Sequence, residues 1–193
     1  MRRKKGCNVA VLLLLGVAAI CVLIFTRGEH PKCGIETLIL DEDQMSEQWR
    51  ITDDNIWPAF LLAQDRLGAQ EAFRMAMKND DNGMIGHTVY RYRNRWLAIF
   101  HLWFDKAVFF PSISTDWSEY QEANNWPLHA DQQYIRCGVA TCPPLADYCS
   151  AVLRYGPYIS DFDVSTSGEG AISLEEFKEI VLKINERFIS CEE

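Results

Sequence analysis

The sequence predicts an α+β protein: a single N-terminal transmembrane helix followed by a small domain with a mostly antiparallel sheet and helices packed on one face. Three observations lead there. Residues 9–25 read VAVLLLLGVAAICVLIF, an apolar run without a charge. Segments rich in β-branched and aromatic residues recur between turn signals. Two further stretches, 95–110 and 174–188, repeat apolar residues at the helical period.

At about 1.5 Å per residue the apolar run spans roughly 25 Å, the short end of what a bilayer-crossing helix requires. A cleavable signal peptide has an apolar region of about 7–15 residues followed by small residues. This run is longer and leaves through Ile24-Phe25. Ala18-Ala19-Ile20 ahead of Cys21 departs from a lipoprotein site, and Arg2-Arg3 lacks the rest of a twin-arginine signal. Residues 9–26 are therefore expected to be an uncleaved signal-anchor whose partner is the lipid bilayer. The segment 1–8 carries Arg2, Arg3, Lys4 and Lys5 and no acid, so the positive-inside tendency keeps it cytoplasmic. The expected location is the cell membrane, single-pass, with residues 27–193 outside.

That outer part holds 15 Lys+Arg (the chain's 19 less the four before the anchor) against 27 Asp+Glu, a formal charge of −12. Such a surface repels nucleic acid and anionic headgroups, so no nucleic-acid partner is expected. The absence of an Asn-x-Ser/Thr sequon leans towards a bacterial source. Outside the anchor lie Cys33, Cys137, Cys142, Cys149 and Cys191. An odd number in an exported chain implies one or two disulfides and a leftover thiol. Cys137 to Cys149 is the preferred local pair, Cys142 to Cys149 its competitor, and Cys33 can meet Cys191 if the domain's ends adjoin. Zinc needs four ligands, and only His129 accompanies this cysteine cluster, so no metal is expected.

Residues 27–44 read as a tether with one apolar patch, Leu38-Ile39-Leu40, and 45–193 as one domain. Helical stretches are expected around 59–66 and 69–78. Gly86 to Tyr92 is β-rich, Tyr134 to Cys137 is a short strand, and 151–155 and 158–164 are strands joined by Gly156-Pro157. In the last strand Tyr158, Phe162 and Val164 share a face opposite Asp161 and Asp163. From Arg95 to Phe110, Trp96, Phe100, Trp103, Phe104 and Phe110 fall in one half of the wheel and His101 in the other. Such a stripe is expected to be core; a lipid or glycan pocket wall and a bilayer-facing surface are the alternatives. Ser173 with Glu176 forms a capping box before the stripe Leu174, Phe177, Ile180, Val181, Ile184 and Phe188.

The run from Ser165 to Phe177 resembles an EF-hand calcium loop at Gly170, Ile172, Ser173 and Glu176. Ser165 and Ser167 stand where carboxylates belong, the incoming segment alternates like a strand, and a capped helix after a Gly-rich loop accounts for every residue. Asn79-Asp80-Asp81-Asn82-Gly83 reads as a turn. No G-x-S-x-G and no phosphate-binding glycine loop occur, so no catalytic residue and no cofactor are assigned. Trp117, Tyr120 and Trp126 lie in the polar stretch 116–133, where aromatics suit recognition or cap the core. The expectation is a membrane-anchored, extracytoplasmic binding or accessory domain, non-enzymatic, with a protein, glycan or lipid partner met through the open sheet face and that loop. The alternative is a small extracytoplasmic hydrolase using a Cys or carboxylate with His87 or His101.

Overall fold

The computed structural model describes residues 15, 16, 18, 19, 22, 26–29, 32–41, 45, 48–52, 68–81, 83–108, 115–140, 147–168 and 170–192. Among them are seven strands: β1 Trp49–Ile51, β2 Ala69–Asn79, β3 Met84–Tyr92, β4 Thr115–Glu119, β5 Gln132–Ala140, β6 Asp147–Tyr155 and β7 Tyr158–Ser165. They form one antiparallel sheet in the order β1-β2-β3-β7-β6-β5-β4. Two meanders, β1 to β3 and β4 to β7, meet where β3 pairs with β7. Helix α1, Arg95–Val108, carries the chain from the middle of the sheet to its far edge, and α2, Leu174–Glu192, follows β7. Tyr155 pairs with Tyr158 across the tightest turn. There Gly156 takes φ +54°, the left-handed backbone that glycine tolerates at the first place of a two-residue hairpin.

Alternation along the strands sorts two cores. Met75, Ile85, Val89, Ile135, Ala151, Leu153, Phe162 and Val164 are buried together with Phe177, Ile180, Val181, Ile184 and Phe188 of α2. Phe162 stacks on Phe177 at 5.7 Å and Tyr155 on Phe188 at 4.2 Å. Each such buried aromatic stabilises by about 1.5–3 kcal/mol through area alone. Ala72, Tyr90, Tyr92, Val152 and Ile159 turn the other way, onto Ala98 and Leu102 of α1. The two helices therefore lie on opposite faces, not on the one face that the sequence suggested. A helical wheel reveals an apolar stripe but not which sheet face receives it. The face holding α2 is already shared with the short 3-10 turn Ile35–Leu38, and α1 closes the other.

Ser173 caps α2 as its hydroxyl oxygen accepts from the Glu176 N–H at 3.1 Å, with Glu175 and Glu176 in the first turn, where the helix dipole favours them. Other expectations need correction. Residues 69–78 are strand β2 and not a helix. Ala, Glu, Met and Lys favour helix locally, but pairing with both β1 and β3 overrides that preference. The stretch expected around 59–66 lies outside the described residues. The first part of 116–133 is edge strand β4, not loop. Residues 32–41 do not hang as a tether either: Ile35, Leu38, Ile39 and Leu40 are buried beneath α2, because the apolar patch has a core to enter.

The largest surprise is the orientation of α1. Ala98, His101 and Leu102 are buried, whereas Trp96 is 50 %, Phe100 47 % and Trp103 63 % exposed. Trp96, Phe100 and Trp103 face outward and the narrower half meets the sheet, with His101 stacked on Tyr92 at 5.1 Å; Phe110 lies outside the described residues.

Among the described residues no helix is long and apolar enough to cross a membrane. The expected anchor over 9–26 falls mostly outside the described residues. Its described positions, Leu15, Gly16, Ala18, Ala19, Val22 and Thr26, are all helical and exposed.

Among the described residues there are two disulfides. Cys137 and Cys149 sit directly opposite one another on β5 and β6 and are bonded, as the preferred pairing expected. Cys33 and Cys191 join the beginning of the domain to the end of α2 across 158 residues of sequence. Cys142 lies outside the described residues.

Candidate functional site

Helix α1 covers the half of its sheet face nearest the Gly156-Pro157 turn, through Tyr90, Tyr92, Val152 and Ile159. Towards the other end of that face, the described residues enclose a hollow of about 360 Å³. The depression arises from side-chain size. Ala76 of β2 and Gly86 of β3 are register partners and form a floor with almost no side chain. Around it rise Arg74 and Lys78 from β2, Asp163 from β7 and Tyr148 from β6, with Thr52, Thr88 and Ser165 adding hydroxyls. Arg74 lies across the floor, its Nη2 4.0 Å from where a Cβ on Gly86 would stand. Arg74, Lys78 and Asp163 are exposed.

One row of register partners runs from Gly86 through Asp163 and Ser150 to Arg136. Ser150 is 0 % exposed, and its hydroxyl has no hydrogen-bond partner among the described residues. An orphaned buried hydroxyl is uncommon because burial without a bond costs on the order of 1–3 kcal/mol. It adjoins Asp163 at the edge of the hollow.

A second, smaller cleft of about 250 Å³ lies at the opposite end of the sheet, between Glu29, Lys32, Arg95, Asp131, Tyr158 and Phe188. Its charges are engaged with one another or with neighbours: Arg95 with Glu29 at 3.3 Å, and Asp131 with Arg154 at 2.9 Å.

The residues singled out in the sequence separate. Tyr120 and Trp126 are half-buried against the α2 core, Trp126 meeting Phe177 edge-on at 6.0 Å and Tyr120 at 6.0 Å. The Tyr120 hydroxyl donates to Glu122 at 2.8 Å, which raises its pKa above the usual tyrosine value. Trp117 stands in β4 opposite Gly138, on the row that continues to Tyr148 and Ser165. By register, then, only Trp117 shares a row with the hollow.

The histidines do not meet. His87, fully buried on the α2 side, accepts at Nδ1 from the Leu40 N–H at 3.1 Å, which leaves the proton on Nε2 to be donated to Ser160 Oγ at 2.9 Å. Burial, reinforced by the Arg187 guanidinium, pulls its pKa down to about 3. Both ring nitrogens are engaged, so His87 is a neutral pillar of the core. His101 lies across the sheet under α1. Cys33, Cys137, Cys149 and Cys191 are consumed by disulfides, and no group of three or more His, Cys, Asp or Glu among the described residues is placed to hold a metal.

The calcium-loop positions have another task. Asn79 donates through Nδ2 to the Gly170 carbonyl at 3.0 Å and accepts the Gly83 N–H at 2.6 Å. The acidic turn is thereby docked on the Gly-rich loop, and the element leading into that loop is strand β7.

Arg74 and Lys78 escape the sequence reading because 69–78 reads as helix. The alternation of Phe73, Met75 and Met77 with Arg74 and Lys78 was the available signal, blurred by Ala72 and Ala76, which suit either period. No protein-family model matches the chain, and no curated protein or solved structure does either. The site rests on its geometry.

Proposed function

We propose that the chain is a membrane-anchored, extracytoplasmic binding domain, non-enzymatic, that seats an anionic group of its ligand in the hollow between β2 and β7. The make-up of the hollow carries this reading. Two exposed cations, Arg74 and Lys78, stand against one carboxylate, Asp163, over a floor left bare by Ala76 and Gly86. Tyr148 offers an aromatic wall. Charge-assisted bonds from an arginine and a lysine suit a carboxylate or sulfate. The surrounding domain is strongly acidic, so it repels polyanions and admits an isolated anionic group on a peptide or glycan.

The anchor at 9–26 supports the location through its basic flank and uncharged length. Two disulfides fit an oxidising compartment. The non-enzymatic reading rests on His87 and four cysteines having structural partners. The test titrates two probes, a disaccharide-peptide bearing free carboxylates and a disaccharide bearing a single sulfate, onto the full chain in nanodiscs. At least one should bind saturably, and Arg74→Ala with Lys78→Ala should weaken it tenfold or more, whereas Lys178→Ala on α2 leaves it unchanged. Saturable binding that survives loss of both hollow cations overturns the assignment, as does absence of binding to either probe.

A further inference from the structure

The outward aromatic ridge of α1 is not used by the hollow, and its position answers what covers it. Trp96, Phe100 and Trp103 recur at four- and three-residue steps and so occupy one face of the helix, spanning about 10 Å at 1.5 Å per residue. Phe100 stacks further on Phe104 at 6.3 Å. The same helix begins where the apolar N-terminal segment reaches the domain. Asn94 Nδ2 donates to the Arg27 carbonyl at 2.8 Å, and the Glu29 N–H donates to the Arg93 carbonyl at 2.8 Å. Glu29 also pairs with Arg95 at 3.3 Å. Asn94 then caps α1, its Oδ1 accepting from the Leu97 N–H at 3.0 Å.

Thr26 is still helical, its hydroxyl donating to the Val22 carbonyl at 2.7 Å. Only one residue step separates it from the Arg27 carbonyl bonded to Asn94, about 4 Å of chain. A headgroup layer is about 5–8 Å deep on each side of the hydrocarbon. If 9–26 cross the bilayer, α1 starts inside that layer and its ridge cannot be far above it.

We infer that α1 lies on the outer leaflet with Trp96, Phe100 and Trp103 in the interfacial zone; this rests on the anchor reading above. Tryptophan favours that zone because its ring is apolar and its N–H finds a partner there. Arg27 and Arg93 are exposed at the same end, beside the Arg95–Glu29 pair, and are placed to meet lipid phosphates. The ridge thereby fixes how the domain stands on the membrane, with the hollow beyond the helix on the same sheet face.

The test uses the full chain in vesicles of phosphatidylcholine brominated at shallow or deep acyl positions, reading tryptophan emission. Bromine should quench the wild type, shallow positions more than deep ones. Trp96→Phe with Trp103→Phe should remove most of that quenching while keeping the ridge apolar. Retention of the protein after an alkaline carbonate wash, with quenching equal in wild type and double variant, overturns the inference and leaves the anchor standing. Release by the wash overturns the anchor reading and the inference with it. A ridge covered by a second copy would also leave quenching unchanged, and would give a dimer mass in nanodiscs that Phe100→Glu abolishes.

Discussion

Lowering the pH from 7.5 to 5.0 should destabilise this protein through the buried His87. His87 is held neutral in the fold with a pKa of about 3, against about 6.5 in an unfolded chain. Protonation therefore favours the unfolded state. The stability due to His87 is complete above pH 6.5 and is lost as pH falls through the window down to 3. At pH 5.0 the unfolded histidine is almost wholly protonated and the folded one is not, which costs about 2 kcal/mol; the full loss below pH 3 approaches about 5 kcal/mol. Against a typical total of 5–15 kcal/mol this is a large fraction. Most carboxylates titrate near pH 4, so the interval from 6.5 to 5.0 isolates the ring. The assay is urea unfolding of the full chain in a non-ionic detergent at pH 7.5 and 5.0, for wild type and His87→Gln. The variant lacks the acceptor for the Leu40 N–H and starts out less stable, but its stability should change by less than half as much over the interval. An equal fall in both proteins would refute the reasoning, because the acid sensitivity would then reside elsewhere.

Removing the Cys33–Cys191 bond by paired Ser substitutions should cost about 5 kcal/mol, against about 3 kcal/mol for Cys137–Cys149, because 158 and 12 residues are closed respectively. The same urea titration, compared with the reduced wild type, reads both. Gly83→Ala should destabilise by about 1–3 kcal/mol, since the added Cβ would collide with the Gly170 carbonyl; Lys78→Ala, one turn away, should change stability by less than about 0.5 kcal/mol. Trp126→Ala should lower the midpoint by removing the edge-on contact with Phe177 and leave probe binding in the hollow unchanged. A binding loss without destabilisation would return Trp126 to a recognition role.

Much of the architecture was legible in the sequence because pattern and turn chemistry agreed. The β6–β7 hairpin announced itself through Gly156-Pro157 between alternating runs, and the two faces of β7 separated as expected. The Ser173 cap and the apolar stripe of α2 agreed in the same way, with Leu174 alone left exposed. Local spacing also pointed to Cys137–Cys149. Strand β2 was hidden because its residues are good helix formers and only its neighbours decide. The face of α1 was hidden for a related reason: both sides can pack, one through aromatics and one through Ala98, His101 and Leu102, and only the fold chooses. The hollow depends on Gly86 meeting Ala76 across two strands, a coincidence of register that a linear chain does not display.

Disulfide mapping by mass spectrometry on the full chain isolated from its native cells, with free thiols blocked before lysis, tests the compartment at its root. Peptides linked through Cys33–Cys191 and through Cys137–Cys149 are expected, both lost on reduction. Four free thiols at these positions in the blocked sample would contradict it, placing the domain in a reducing compartment and removing the basis for an extracytoplasmic binding role.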